Sequence, residues 1–335
     1  MQTDNTAFIT RLTALWALSE SGLGGLMFAF KIPFTGIFLG GFAVIIITLI
    51  AKYSTNKWRS ILQSTLLVVL VKAVASPHSP PPAYFAVGFQ GLAGACIYAP
   101  FSMNRFSAVL FGVLAMLESA SQKIIVMTLI YGKNIWVALD SFFEMIVKDF
   151  GIGKHVSFSI WIISAYMLLY AIWGIVVALW GFRISNNMEQ LAPGIVEQYR
   201  KHQHTPGMPS AKKKNNAYVK WIFVIITLSF TTLVFVMQGM GGKALYTVLR
   251  TIAAIIILFF IINPLVKFLV QKWINRKKQQ QQKGVNEILQ MLPELKSYVQ
   301  PAMEISRQHN KGLSIYKGFV SNLLILSLFH PAKNE

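Results

Sequence analysis

Cysteine and acidic residues are scarce in this sequence. Its only cysteine is Cys96, so the chain cannot form an internal disulfide and has no cysteine cluster for zinc or iron. Asp and Glu number 12 against 31 Lys and Arg, which gives a formal net charge of +19. Charged residues make up only 13% of the chain, about half the share in soluble proteins. Together with 54% hydrophobic residues, this composition excludes a soluble globular domain, a disordered chain and a collagen-like repeat.

The signature motifs of common enzyme classes are also missing. There is no GxxxxGK[ST] nucleotide loop, no HExxH zinc motif and no GxSxG nucleophile turn. The sequence has no aspartate-rich pair that would hold a diphosphate with magnesium, and its histidines are scattered. Nothing in the sequence therefore supports an enzyme, and we expect no cofactor and no metal site.

In place of these motifs, the sequence has apolar stretches near the length that a bilayer demands of a helix, about twenty residues. We predict an all-α, polytopic membrane protein with a six-span bundle, two further spans and cytoplasmic amphipathic helices. The predicted spans cover residues 10–30, 35–51, 60–76, 84–101, 106–131, 157–182, 218–238 and 245–270.

The distribution of basic residues predicts the orientation of these spans. Lys and Arg collect in the loops 52–59, 102–105 and 183–217 and in the tail after 270. Cytoplasmic loops carry an excess of Lys and Arg, so both termini are predicted to be cytoplasmic, in the bacterial cytoplasmic (inner) membrane. Attraction of these loops to anionic lipid accounts for the net charge without nucleic acid as a partner.

Composition divides the chain into four predicted parts. Residues 1–183 form the six-span domain, and residues 218–270 form a two-span unit. Between them, residues 184–217 are polar and rich in proline and lysine, which is typical of a basic cytoplasmic linker. Residues 271–335 form a basic cytoplasmic tail.

Three further helices are predicted outside the spans. Apolar residues at helical spacing indicate an amphipathic helix over 286–303, which Pro293 and Pro301 would bend or break. The stretch 313–329 contains Lys and Asn and indicates a membrane-surface or docking helix rather than a ninth span. The stretch 134–149 is predicted to be an interfacial helix on the outer face.

The first span carries a continuous stripe of small residues, each four positions from the next: Thr13, Ala17, Ser21, Gly25 and Ala29. On a helix such a stripe lets another helix approach closely. The partner could be a helix of the same bundle or a separate membrane subunit, and the stripe alone does not decide between them.

Polar side chains inside the spans are the candidates for binding a small molecule. Charged groups in hydrocarbon are costly and are functional candidates by default. Four such residues lie on three different spans, in what we expect to be the outer half of the bilayer. The predicted substrate-binding residues are Lys72, Gln90, Glu118 and Gln122.

A structural role for these residues is the alternative. Lys72 and Glu118 could form an ion pair that only locks the bundle. Glu20, near the middle of the first span, also needs a partner, and Lys123 could provide one.

The first six spans resemble the substrate-binding S component of energy-coupling factor (ECF) transporters. The resemblance covers about residues 8–183 and rests on the short spans, on Ala17-xxx-Ser21-xxx-Gly25 and on Lys31-Ile32-Pro33-Phe34-Thr35-Gly36. It implies that Ala17, Ser21 and Gly25 dock on a membrane coupling subunit, the T component, which cytoplasmic ATPases drive. The family usually has alanine where this chain has Ser21 and Gly25.

The tail faintly resembles the coupling end of a T component. In that component, two cytoplasmic helices carry Ala-Arg-Gly motifs whose arginines bind the ATPases. Here Asn310-Lys311-Gly312 stands in the matching place, with lysine for arginine. The resemblance implies that Lys311 and Gly312 are partner-docking residues.

These observations predict a membrane transport component for uptake of a small vitamin-like molecule, energised by a separate ATPase. The alternative is a non-transport membrane anchoring or assembly subunit with a basic cytoplasmic tail. The transport hypothesis predicts that the six-span bundle encloses an outward polar cavity, whereas the second hypothesis predicts a bundle centre filled with apolar side chains.

Overall fold

The computed structural model describes residues 2–24, 35–76, 79–149, 157–202, 249, 252–253, 256–312 and 314–329. Within these ranges all regular secondary structure is helical, which confirms the all-α prediction for the described part of the chain. The helices are α1 (Gln2–Leu18), α2 (Thr35–Tyr53), α3 (Lys57–Ala75), α4 (Pro81–Tyr98), α5 (Arg105–Tyr131), α6 (Asn134–Asp149), α7 (Phe158–His202), α8 (Asn263–Gln280), α9 (Gln282–Ser297), α10 (Val299–His309) and α11 (Ser314–Phe329). A π-helical segment at Ser19–Leu23 follows α1, and another at Ile257–Ile262 precedes α8.

Four of the described helices are long and apolar enough to cross a membrane. They are Thr35–Tyr53, Lys57–Ala75, Arg105–Tyr131 and Phe158–Lys201. These helices match four of the predicted spans, and their number and apolarity indicate a membrane protein. The predicted span 218–238 lies outside the described residues, as does the first part of 245–270.

The chain forms two compact units, each made of segments that are distant in sequence. The first unit combines Met1–Ser119, Leu169–Pro206 and Phe268–Glu335, and the second combines Ala120–Leu168 and Gly207–Lys267. The division predicted from composition follows the order of the sequence instead, and it stays a prediction.

The core of the first unit is a helical bundle around α1. Helix α1 packs on α2 and α3, and α4 packs on both α2 and α3. The central part of α2 is almost wholly buried, as are Leu15 and Trp16 on α1. Elsewhere in the unit, Gly112 and Gly174 allow two helices to touch, because a Cβ at either position would lie 2.6 Å from the carbonyl oxygen of the other.

Helix α7 continues well past residue 182, the predicted end of the sixth span. Residues 184–202, expected to begin a linker, are helical and include Pro193. The physical reason is a stripe of buried side chains at helical spacing, which gives this extension a face to pack. The buried residues are Ile184, Met188, Ala192 and Tyr199.

Residues 282–329 of the tail fold as three helices within the first unit. The predicted helix over 286–303 is divided at Tyr298 into α9 and α10. Pro301 then lies in the first turn of α10, where a missing N–H costs nothing, while Pro293 remains inside α9. Helices α10 and α11 pack against each other in antiparallel orientation. Helices α9 and α11 both pack on α1.

The second unit contains α6 and the ends of two long helices. The stretch 134–149, predicted to be a helix, is helical as α6. The carboxylate of Asp140 accepts hydrogen bonds from the Ser159 N–H at 2.7 Å and the Ser159 hydroxyl at 2.9 Å, at the start of α7. These bonds satisfy orphan donors of a helix N-terminus and join α6 to α7.

Candidate functional site

A buried ion pair joins α1 to α3 inside the first unit. The Lys72 ammonium donates a hydrogen bond to Glu20 Oε2 at 2.7 Å. The Lys72 and Glu20 side chains are only 4% and 6% exposed, so water does not solvate either charge. Two opposite charges at this depth neutralise each other, and each would be costly alone.

The lysine has two further electrostatic partners, both at the start of α4. Its ammonium donates to the carbonyl oxygen of Ala83 at 3.3 Å and lies 6.0 Å from the centre of the Tyr84 ring. Lys72 lies in the last turn of α3, and α4 begins at Pro81 after a short connection. Proline is favoured at the first position of a helix, so Pro81 fixes where α4 begins. The hydrogen bond to Ala83 shows that the first turn of α4 lies beside the last turn of α3.

Glu20 lies in the π-helical turn that continues α1. Within Ser19–Leu23 the backbone widens, and the Ser19 and Ser21 hydroxyls donate back to the carbonyls of Trp16 and Ala17. Such back-bonding competes with the helical ladder. Short π-helical insertions occur often at functional sites, because they turn a side chain away from its helical position.

Gln90 brings a buried amide into the same bundle from α4. The residue is 2% exposed, and within the described part of the chain its Oε1 has no hydrogen-bond partner. A Cβ at Gly40 of α2 would lie 3.3 Å from Gln90 Nε2 and 2.7 Å from Met116 Cε. Because Gly40 has no Cβ, α2 can lie close to the Gln90 amide. A buried acceptor without a donor costs about 1–3 kcal/mol, which a ligand donor would recover.

The other predicted binding residues lie on α5. Glu118 is partly buried and belongs to the first unit, together with Lys72 and Gln90. Gln122, one turn further along the helix, belongs to the second unit. No ion pair joins Lys72 to Glu118 among the described residues, because Glu20 occupies the ammonium. The binding role of all four residues stays a prediction.

Glu20 is the site residue whose pairing the sequence did not predict. The sequence offers Lys123 as a possible partner, whereas the structure pairs Glu20 with Lys72. A signal is present in the sequence, since Glu20 is the only acidic residue of the predicted span 10–30 and Lys72 is the only charged residue of 60–76. The π-helical turn, which fixes where Glu20 points, left no pattern in the sequence.

The small-residue stripe of α1 is partly used inside the chain. Ala17 is fully buried, and the Thr13 hydroxyl, itself buried, donates to Ser64 Oγ on α3 at 2.8 Å. Ser21 is partly buried. Gly25 lies outside the described residues, as do Lys31 to Phe34. At the other predicted docking place, Lys311 and Gly312 are exposed between α10 and α11, and Gly312 has a φ of 60°.

A second polar network on α1 holds the tail. Arg11 donates to Glu294 Oε1 of α9 at 3.0 Å and to the carbonyl oxygen of Ser327 of α11 at 2.7 Å. The Tyr298 hydroxyl donates to the same carboxylate at 3.0 Å. Burial, followed by the neighbouring Glu294 carboxylate, raises the pKa of Tyr298 above its ordinary value. One arginine fork therefore binds two tail helices at once.

Comparison with known proteins adds no relative to this description. No family model, no curated protein and no solved structure matches this chain. Among the described residues, no three His, Cys, Asp or Glu side chains come together in a way that could hold a metal ion. The functional conclusion therefore rests on the residues of this chain alone.

Proposed function

We propose that this chain is a membrane transport component that takes up a small vitamin-like molecule and is energised by a separate ATPase. The observation that carries the proposal is the buried Glu20–Lys72 pair, with Gln90 in the same bundle. Ionisable groups within apolar membrane helices are functional candidates by default, and substrate pathways are among the features that they mark. The helices around these residues include α2, α3 and α5, which are three of the four helices long and apolar enough to span a membrane.

These groups fit a polar small molecule in a largely apolar site. A ligand anion would compete with Glu20 for the Lys72 ammonium, and a ligand N–H or O–H would satisfy Gln90 Oε1. Small-molecule sites are typically apolar with a few such placed polar contacts.

The membrane arrangement belongs to the same proposal. Six spans and two further spans would place both termini in the cytoplasm of a bacterium, with the chain in its inner membrane. The Arg11 contacts support this sidedness, since they hold the N-terminal helix and the C-terminal tail at one place in the first unit. A membrane coupling subunit and cytoplasmic ATPases would be the partners, as the resemblance to ECF transporters implies.

A membrane anchoring or assembly subunit is the second candidate. The observation that favours it is the tail itself, because α9 and α11 pack on α1 and leave the α10–α11 connection with Lys311 exposed. In that case the Glu20–Lys72 pair would only fix the register of α1 against α3, which is an attested use of buried polar groups.

Native mass spectrometry of the purified full-length protein distinguishes the two. We expect the wild type to retain a small molecule after incubation with a total metabolite extract. Gln90→Met should retain at least tenfold less, because a buried polar contact of about 1.4 kcal/mol corresponds to a factor of ten. Thr13→Val, which removes a different buried hydroxyl on α1, is the matched control and should retain the wild-type amount. Equal retention in all three proteins, or none in any, would contradict the transport proposal.

A further inference from the structure

The C-terminal part of α8 carries an exposed face that combines large apolar and basic side chains. Phe268, Leu269 and Trp273 are 61%, 55% and 46% exposed, and Lys272 and Arg276 are exposed beside them. At about 100° per residue, these five positions fall on the side of the helix opposite Ile274. Ile274 is only 5% exposed, so the opposite side of the helix is covered at this position.

The order of these residues along the helix is that of a membrane boundary. Along this face Phe268 and Leu269 come first, then Lys272 and Trp273, and then Arg276, which is followed at once by Lys277 and Lys278. Tryptophan concentrates at the level of the lipid headgroups, and basic side chains extend from there into the water layer. The face therefore fits a surface that is apolar on one side and charged on the other.

The basic residues of this segment have no acidic residue near them in the sequence. No Asp or Glu occurs between Glu197 and Glu287. Within the described part of the protein, neither Lys272 nor Arg276 has a carboxylate at ion-pair distance. An unpaired basic cluster beside an apolar face attracts anionic headgroups, by about 1 kcal/mol for each Lys or Arg near the surface.

We propose that the face formed by Phe268, Leu269, Lys272, Trp273 and Arg276 binds the headgroup region of anionic phospholipid. Lys272 and Arg276, one turn apart, hold the phosphate oxygens, and the aromatic and aliphatic side chains contact the upper acyl chains. Arginine is well suited to this role because its planar fork matches two phosphate oxygens. The proposal is independent of what the bundle transports.

The test is a lipid titration of the full-length protein in dodecyl maltoside micelles. Phosphatidylglycerol or phosphatidylcholine is added, and the concentration that gives half of the maximal rise in Tm is measured. We expect phosphatidylglycerol to act at lower concentration than phosphatidylcholine. This advantage should shrink at about 0.5 M sodium chloride, where exposed charges are largely screened. Inorganic phosphate at the same concentrations should leave Tm unchanged, since it cannot use the apolar part of the face.

Two variants and a control identify the residues. The double variant Lys272→Gln/Arg276→Gln should need about thirtyfold more phosphatidylglycerol, from about fivefold for each cation. Trp273→Ala should weaken the effect of both lipids alike. Arg307→Gln/Lys317→Gln, which removes two other exposed tail cations, is the charge-matched control and should behave as the wild type. Equal potency of the two lipids, an unchanged double variant, an equal loss in the control, or a full effect of phosphate alone would overturn the proposal.

Discussion

Helix α1 and its π-helical continuation carry two ion pairs that differ in burial and in the hydrogen bonds around their carboxylates. Arg11 pairs with Glu294 of the tail, and Glu20 pairs with Lys72 of the bundle. The Arg11 and Glu294 side chains are 12% and 20% exposed, whereas those of Glu20 and Lys72 are almost completely buried. The outer pair also has several hydrogen-bond partners, while Glu20 has none besides Lys72 among the described residues.

The difference teaches what each pair is for. An arginine fork that joins a carboxylate and a carbonyl on two helices is a structural clamp, since each bond adds to how the tail is held. A fully buried pair gives little net stability, because apolar residues of similar size would hold the helices as well or better. Its presence therefore points to a use of the charges themselves, which is the basis of the transport proposal.

Separating the inner pair should give the largest effect. Lys72→Met or Glu20→Leu alone leaves one buried charge without its partner and should lower the free energy of unfolding by about 3–5 kcal/mol. The double variant Glu20→Leu/Lys72→Met should be close to the wild type. Thermal unfolding of the four proteins in detergent measures this. Additive losses in the double variant would show that the two charges do not act as a pair.

Breaking the outer pair should give a smaller and more local effect. Arg11→Met removes two charge-assisted hydrogen bonds and should cost about 2–3 kcal/mol, mainly in the attachment of α9 and α11. Hydrogen exchange followed by mass spectrometry should show faster exchange in these helices, with α3 and α4 unchanged. Arg11→Lys, which keeps the charge and loses the fork, is the control and should give an intermediate rate. Faster exchange throughout the first unit would contradict the clamp.

Ala17, which lies between the two pairs, tests whether the stripe of small residues has an outside partner. Because Ala17 is fully buried, Ala17→Leu overfills the bundle and should lower the free energy of unfolding by about 1–3 kcal/mol. Ser21→Leu, at a partly buried position, should affect stability less and reduce co-purification of a membrane partner more. Equal losses of stability and co-purification in both variants would favour packing within the bundle alone.

The smallest effect is expected from the neutral hydrogen bond on the same helix. Thr13→Val removes the bond to Ser64 Oγ without changing the shape of the side chain and should cost about 1 kcal/mol. Comparing the loss of Tm in Thr13→Val with that in Lys72→Met would show whether these losses depend on the charge of the side chain or only on its burial. A loss as large as that of the charged variants would mean that burial alone sets the scale.

The sequence predicted the helical class and several elements closely, because apolar length and periodicity are local signals. The apolar runs at 35–51 and 60–76 correspond to α2 and α3. The sequence predicts a linker over residues 184–202, because Pro193 and the charged side chains obscured buried positions at helical spacing. The lesson is that a few buried positions outweigh overall polarity in deciding whether a segment is helical.

The contacts at the two pairs could not be predicted in the same way. Arg11 and Glu294 are 283 positions apart, and nothing local in either segment indicates the other. Lys72 and Glu20 were each recognised as costly in an apolar span, yet the π-helical turn that brings them together depends on the folded bundle. Composition therefore identified candidate residues, while their partners depended on the tertiary structure.

The small-molecule content of the Glu20→Leu/Lys72→Met protein tests the central claim most directly. Wild type and double variant are purified under the same conditions, exposed to the same metabolite extract and analysed by native mass spectrometry, with Tm confirming that both are folded. If the buried charges serve a ligand, the double variant should be folded and carry no bound molecule, while the wild type carries one. The same molecule in the same amount on both proteins would contradict the account.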